Sequence, residues 1–478
     1  MSHQDADRDT AFAPHHQDLN QALNQLLSSV PLSDVTFRKD CTWTSQGLIY
    51  VAILWAWSDE KTLTARFALA RKVVMVMGIL GGIPATSYQA FLKMLKVWTI
   101  PLTLALAAAF RKLMEADLAD RGQIAGFSVF GVDGSRLELP RTVSNEARFS
   151  PASAPRPAKP KRRGKPRRRG RARTHAARAR SARQKKTNCP QMWLTTMFHV
   201  GTGLPWDWRL GPSDSSERGH LLEMLAALPV GALVTADAGF VGYDVWKSIL
   251  GSRRHLLVRV GANVRLLRKL GYAHEKNGLV YLWPDREAKR NQPPLVLRLV
   301  VANNGKHPVY LVTSVLEEAR LSDRQVVEIY GLRWGIELFY RHFKQTYERR
   351  KLRSHTADHA ELEAIWSLIG LWSMALHTQR VLAPTGVPAR RISVAKLLYA
   401  YRRSLREYKS PPDPGESLRE LLSQAIIDPY ERADKSSRDY PRKKYEPATG
   451  APTVHNATAD QIKAARSIGY QLASGLTA

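Results

Sequence analysis

Four residues in one short stretch have types and spacing suited to work on a phosphate chain: Tyr330, Arg333, Glu337 and Lys344. They stand in Tyr-Gly-Leu-Arg-Trp-Gly-Ile-Glu-Leu-Phe-Tyr-Arg-His-Phe-Lys, at intervals of three, four and seven. An α-helix turns about 100° per residue, which sets the last three at roughly 300°, 340° and 320° from Tyr330, so that all four share a sector of about 60°. Ile329, Leu332, Ile336, Phe339 and Phe343 gather on the far side of the same wheel. One face can pack while the other presents an aromatic hydroxyl, two cations and a carboxylate. That set can bind phosphates and help to hold a metal ion. The same stripes describe any amphipathic surface helix, so the helix alone leaves both readings open.

Two aspartates upstream sharpen the choice. Phe127-Ser-Val-Phe-Gly-Val-Asp133 reads as a strand with an acid at its end, although Asp133-Gly134 is also a common turn pair. Gly231-Ala-Leu-Val-Thr-Ala-Asp237 reads as a buried parallel strand with a functional carboxyl end; Asp237 could equally cap the next helix. Two acids at neighbouring strand ends and one on a helix packed against the sheet can converge. Three carboxylates together repel unless positive charge neutralises them. Oxygen ligands suit hard cations such as Mg²⁺ or Mn²⁺, and two such ions can activate a nucleophile and stabilise the leaving oxygen in phosphodiester chemistry.

The Tyr-x2-Arg-x3-Glu-x6-Lys pattern, Val132-Asp-Gly-Ser135 and Thr235-Ala-Asp-Ala-Gly-Phe240 together resemble the DDE transposases of bacterial insertion sequences, in the insertion-sequence-four family. The resemblance covers roughly residues 30–410. It implies a transposase that cuts its element's ends and joins them to target DNA, working as a homodimer on paired ends. It also implies that Asp133, Asp237 and Glu337 hold two Mg²⁺ or Mn²⁺ ions. Tyr330 and Arg333 would contact a terminal phosphate and Lys344 would hold the strand near the cut, roles that suit a forked guanidinium and a mobile point charge. The family can carry a Trp that stacks on a flipped base. Trp283, the only Trp between residues 247 and 333, could do this or could be a core residue of a small sheet. Arg259 would line the DNA channel. His355, Asp358 and His359 read as solvated polar groups at a helix start rather than as a metal cluster.

The elements that must position these residues follow from pattern. The chain has 478 residues, room for two or three domains. Residues 1–32 are polar and expected to be flexible. Residues 33–120 carry helical periodicity punctuated by Pro84 and Pro101 and read as a helical domain; the resemblance implies that it binds DNA ends, and the helix opening at Ser87 could approach DNA or could be a packing helix with two solvated lysines. Residues 121–380 follow the order strand, strand, strand, helix, strand, helix, strand, helix. This α/β order is that of an RNase H-like core with a mixed five-stranded sheet, interrupted by a strand-rich insertion at 264–316. A helical region follows at 381–427, and 428–478 is expected to be mostly mobile apart from a short helical pattern at Ala459 to Leu472. Ser322-Asp-Arg-Gln325 reads as a capping box before the helix of the four-residue pattern.

The net charge is +30, which predicts a polyanionic partner, most simply DNA. Between Arg156 and Lys186 lie sixteen Lys or Arg and no acid. This run, with Lys161, Arg162, Arg163, Lys165, Arg167, Arg168 and Arg169 at its heart, reads as a disordered arm across 151–188 that neutralises phosphates without sequence preference. Two cysteines argue against a disulfide framework and suit a reducing cytosol; the resemblance implies a bacterial cytoplasm and association with the nucleoid. The polar, acidic start does not read as a secretory signal, and the apolar stretches Val73–Ala85 and Ile100–Phe110 are too short to span a bilayer, so no membrane partner is expected. Two other functions compete: a structure-directed nuclease on the same fold, which hydrolyses without joining, and a non-catalytic DNA-binding protein descended from a transposase.

Overall fold

Most runs of Val, Leu, Ile and Phe bounded by Gly, Pro and Asn form strands where the sequence predicts them, and with three short strands that it does not, Gln123–Ile124, Arg265–Arg268 and Thr453–Asn456, they join into one mixed sheet. The structure is a computed structural model and describes residues 12–32, 35, 37, 41–79, 87–150, 190–271, 278–303, 308–427 and 450–468. The strands are β1 (Gln123–Ile124), β2 (Phe127–Glu138), β3 (Gln191–His199), β4 (Leu204–Gly211), β5 (Leu233–Ala236), β6 (His255–Val260), β7 (Arg265–Arg268), β8 (Leu279–Leu282), β9 (Leu295–Asn303), β10 (Pro308–Thr313) and β11 (Thr453–Asn456). Across the sheet they run β11-β7-β8-β9-β10-β6-β5-β2-β3-β4, with β1 paired to β2 off this path. β2, β3 and β4 are antiparallel neighbours, while β2, β5 and β6 run parallel.

Among the described residues the sheet therefore has eleven strands rather than five. Residues of the expected insertion do not form a separate unit, because β10 lies antiparallel to β6 with Leu311 opposite Arg259. It covers an edge of β6 that would otherwise be open, and β9, β8 and β7 continue outward from it. β2 also corrects an expectation. Asp133-Gly134 is not a turn, since the strand runs on to Glu138 with Asp133 opposite Thr196 and Gly134 opposite Thr195. The basic run at 151–188 lies outside the described residues.

Helices α1 (His15–Leu27), α2 (Ser45–Trp57), α3 (Leu63–Val76) and α4 (Tyr88–Asp117) precede the sheet. α1 was read as a flexible end, yet Leu19, Ala22, Leu23, Leu26 and Leu27 supply a helical stripe that is buried. α2 is apolar all round and buried accordingly. Pro101 does not end α4, which runs through it. A proline removes one amide and leaves the carbonyl four residues back unbonded. Here that is Val97, on an exposed face where water can take the bond. α4 is long and apolar enough to cross a membrane by length and composition. Its Phe91, Leu95, Leu102, Leu106 and Phe110 are nevertheless buried in the protein core, with Phe110 edge-on to Trp372 at 5.3 Å.

α5 (Glu217–Met224) leads from β4 into β5, and α6 (Tyr243–Gly251) crosses from β5 to β6. After β10 come α7 (Asp323–Leu332), α8 (Gly335–Arg341), α9 (Ala357–Leu382) and α10 (Val394–Arg406). α9 joins the two halves: Trp57 donates to the Gly370 carbonyl at 2.8 Å, and Trp366 donates to Thr99 Oγ1 at 2.9 Å. The helical pattern expected from Ala459 forms the helix Ala459–Ile468, and before it β11, which was not expected, pairs parallel with β7. A four-residue strand carries too short a pattern to be read from sequence.

Candidate active site

Strand register sets the acidic pair. β2 and β5 are parallel, with Gly131 opposite Thr235. Two residues further along each strand direction stand Asp133 and Asp237, on the same face because side chains alternate along a strand. Asp133 Oδ1 accepts from the Gly134 amide at 2.9 Å. Asp237 Oδ1 accepts from the Gly239 amide at 2.8 Å and so caps the short 3₁₀ turn Ala238–Phe240. Capping and site formation are thus compatible for Asp237.

The third acid arrives on a segmented helix. The predicted capping box is present, with Ser322 and Gln325 bonding reciprocally at the start of α7. The helix is then interrupted at Arg333–Trp334, between Gly331 and Gly335, and resumes as α8. Glycines weaken a helix interior, so the expected single helix becomes two. Ile329, Ile336, Phe339 and Phe343 are buried as the wheel predicts, whereas Leu332, at the interruption, is exposed. Arg333 Nη2 lies 3.9 Å from Glu337 Oε1, and its guanidinium lies 5.3 Å from the centre of the Tyr330 ring. Burial pushes the Tyr330 phenol above its ordinary value, against the pull of nearby Arg333 and Arg259. Tyr330, Arg333, Glu337 and Arg259 are thereby brought together.

Lys344 reaches the site by another route. Residues His342–Thr346 form a π-helical turn, wider than an α-turn, which shifts the phase assumed for an ideal wheel. Lys344 Nζ donates to Ser135 Oγ at 2.5 Å, two residues past Asp133 on β2. Burial, and then Arg350, hold its ammonium below the usual lysine range.

Charge is crowded here. Burial, followed by the neighbouring Asp237 and Glu337 carboxylates, pushes Asp133 up to about 6; the Gly134 amide and Arg333 pull the other way. A fourth acid joins them. Glu217, in the first turn of α5, is pushed up to about 7 by burial and then by Asp133 and Asp237. A Cβ on Gly134 would fall 2.2 Å from Glu217 Oε1, so only glycine lets that carboxylate approach β2. Sequence reading missed Glu217 because an acid just after the N-cap Ser216 is an ordinary helix-start residue. Beside it opens a cavity of 360 Å³ lined by Trp193, Ser215, Ser216, Glu217, Arg218 and Gly239.

Among the described residues, no three His, Cys, Asp or Glu side chains gather closely enough to hold one ion. Asp237, Glu337 and Glu217 each lie near enough to Asp133 for their charges and its own to act on one another, without forming a closed ligand cage. The donor set still fits a hard divalent cation, being all oxygen and held together against like-charge repulsion.

Trp283 is not available for stacking in this structure. It is 4% exposed and donates its ring N–H to the Gln292 carbonyl at 2.8 Å, the core alternative that its sequence setting left open. A different indole, Trp334, is 57% exposed beside Arg333. Asp358 pairs with Lys96 at 2.6 Å and Arg148 at 2.9 Å, in keeping with solvated polar groups at the start of α9. Lys161, Arg162, Arg163, Lys165, Arg167, Arg168 and Arg169 lie outside the described residues.

A family model described as the transposase DDE domain matches residues 127–372. Transposase InsG for insertion sequence element IS4, from Escherichia coli (strain K12), is 28% identical over 255 residues, which cover 51% of this chain and 50% of that protein. The chain thus matches about half the length of this curated relative. Among solved structures, the piggyBac transposase synaptic complex with hairpin DNA aligns over 88% of this chain and 86% of its own, at 11% identity and a TM-score of 0.37, a likeness too slight to argue from.

Proposed function

The chain belongs to the transposase DDE domain family, and from that premise we propose that it is a DNA transposase of an insertion sequence, cutting the element's ends and joining them to target DNA. The observation that carries this reading is the convergence of Asp133, Asp237 and Glu337 on one face beside Arg333. The order β4-β3-β2-β5-β6, antiparallel on one side of β2 and parallel on the other, supports an RNase H-like core within the larger sheet.

In this reading Asp133, Asp237 and Glu337 hold two Mg²⁺ or Mn²⁺ ions. When bound, these ions supply activation of the attacking oxygen and stabilisation of the leaving one. Arg333 presents forked donors to a terminal phosphate, with Tyr330 buttressing the guanidinium through its ring. Lys344 neutralises the strand near the cut, leaving its hydrogen bond to Ser135 when DNA arrives. Arg259 adds positive charge behind Tyr330. The N-terminal helices bind the element's ends, the basic arm holds phosphates non-specifically, and two copies pair the ends. The protein acts on DNA in the cytoplasm, at the nucleoid.

Incubation with Mg²⁺, labelled DNA carrying the element's ends and a supercoiled target tests this. The expected products are cut ends and molecules joined to the target. Cutting without joining would favour the nuclease, and neither activity would favour the non-catalytic DNA-binding protein.

A further inference from the structure

Tyr340 lies three residues beyond Glu337 on α8, on the buried side, and is 5% exposed. Its hydroxyl donates to the Asp133 carbonyl at 2.7 Å, with the Leu194 carbonyl also in reach at 3.1 Å. It accepts from the Thr196 amide at 3.1 Å. Asp133 and Thr196 are the residues paired across β2 and β3, so the hydroxyl bridges the ladder at the catalytic strand itself. Burial raises the phenol well above its usual range, so it remains a neutral donor.

We propose that Tyr340 is a positioning residue that fixes the spacing between Glu337 on α8 and Asp133 on β2, and so sets the separation of two acids of the metal site. The inference rests on the proposed metal-dependent function. Asp133 sits in a strand, while Glu337 sits on a helical segment bounded by the interruption at Arg333–Trp334 on one side and a π turn on the other. Ile336, Phe339 and Phe343 pack the segment against the core but set no polar register with the sheet. Its own side-chain bonds to β2 are those to Asp133 and Ser135, and beyond the π turn the Arg350 carbonyl accepts from the Glu138 amide at 2.9 Å. Lys344 must leave Ser135 to meet DNA, whereas Tyr340 is buried and stays. Sequence alone cannot single out Tyr340, which looks like one more aromatic on the packing face. Its hydroxyl becomes distinctive only when the strand beneath it is known.

The test compares Tyr340→Phe with Tyr347→Phe. Tyr347 is a matched control: it is buried, and its hydroxyl donates to the Ala56 carbonyl at 2.6 Å, on a different contact. Folding is checked by circular dichroism, and Mn²⁺ binding is read directly from the electron paramagnetic resonance of free Mn²⁺, without DNA. Both variants should lose some thermal stability. Tyr340→Phe alone should bind Mn²⁺ about tenfold more weakly, the scale seen when outer-shell support of a ligand is lost, and its cleavage should need correspondingly more Mg²⁺. Wild-type Mn²⁺ affinity in Tyr340→Phe, or equal weakening in Tyr347→Phe, would overturn the proposal. So would unfolding of Tyr340→Phe while Tyr347→Phe folds, which would mark the hydroxyl as structural only. If the wild-type protein binds no Mn²⁺, the metal reading itself fails, and the inference with it.

Discussion

Arg349 and Asp133 are both largely withdrawn from water, and their surroundings treat them in opposite ways. Arg349, where the N-terminal helices meet the segment after α8, is 2% exposed and fully engaged. Nε donates to Ser367 Oγ at 2.8 Å, Nη1 to the Tyr347 carbonyl at 2.8 Å and Nη2 to the Ala56 carbonyl at 2.6 Å. Nearby Glu363 is buried too and accepts from the Arg353 and Ser354 amides and the Ser354 hydroxyl. Asp133 has one amide, and its principal charged neighbours include two more carboxylates. A buried charge with its bonds complete holds a structure together. A group of half-buried like charges costs stability and persists where something outside the chain can neutralise it.

Removing one group from each region should move stability in opposite directions. Arg349→Met leaves buried carbonyls without donors and should cost about 3 kcal/mol. Asp133→Asn removes repulsion and should leave the metal-free protein as stable or more so. Urea unfolding of both variants in chelator measures this; equal losses would break the comparison.

The second prediction is a pH dependence. Folding raises Asp133 from its ordinary value of 3.8 to about 6. A raised carboxyl pKa means that the folded state binds its proton more tightly, so stability is gained as pH falls and lost as pH rises through 6. Asp133→Asn cannot titrate there. At pH 7.5 in chelator it should be more stable than wild type by about 1–2 kcal/mol, a gap that closes by about pH 4. A gap constant with pH would show that neither burial nor the neighbouring carboxylates raise the Asp133 carboxyl on folding.

Glu217 sharpens the same contrast. If it belongs to the acid group, Glu217→Gln should slow strand cleavage about tenfold, or about 1.4 kcal/mol of barrier, with end binding unchanged in a gel-shift assay. An unaltered rate would return Glu217 to an ordinary helix start. The smallest effect is expected at Trp283. Trp283→Phe should keep cleavage within about twofold, a few tenths of a kcal/mol, while lowering the unfolding midpoint. A large loss of cleavage with intact folding would mean that Trp283 leaves its socket to meet DNA.

The parts of this site carried by local pattern were legible in the sequence. Asp237 ends an apolar run, Ser322 and Gln325 make a capping box, and the signature residues keep fixed intervals, each a pattern contained in one short stretch of chain. What depended on long-range pairing was not legible. Whether Asp133 ends a strand or lies within one is decided by β3, about sixty residues on. Attachment of β10 to β6 turned an expected insertion into part of the central sheet. Glu217 and Tyr340 meet Asp133 from elements that precede and follow β5, so their roles exist only in the folded chain. Lys344 does reach the site, but through a π turn that an ideal wheel does not foresee.

The central claim is that Asp133, Asp237 and Glu337 act together in metal-dependent DNA cutting. The most direct measurement is cleavage of labelled end DNA in Mg²⁺ by wild type and by Asp133→Ala, Asp237→Ala and Glu337→Ala, each shown to bind the same DNA. The account predicts wild-type cutting that chelator abolishes, and a loss of about a thousandfold or more in every variant, upwards of 4 kcal/mol of barrier. Cutting at the wild-type rate by any one of the three would contradict it.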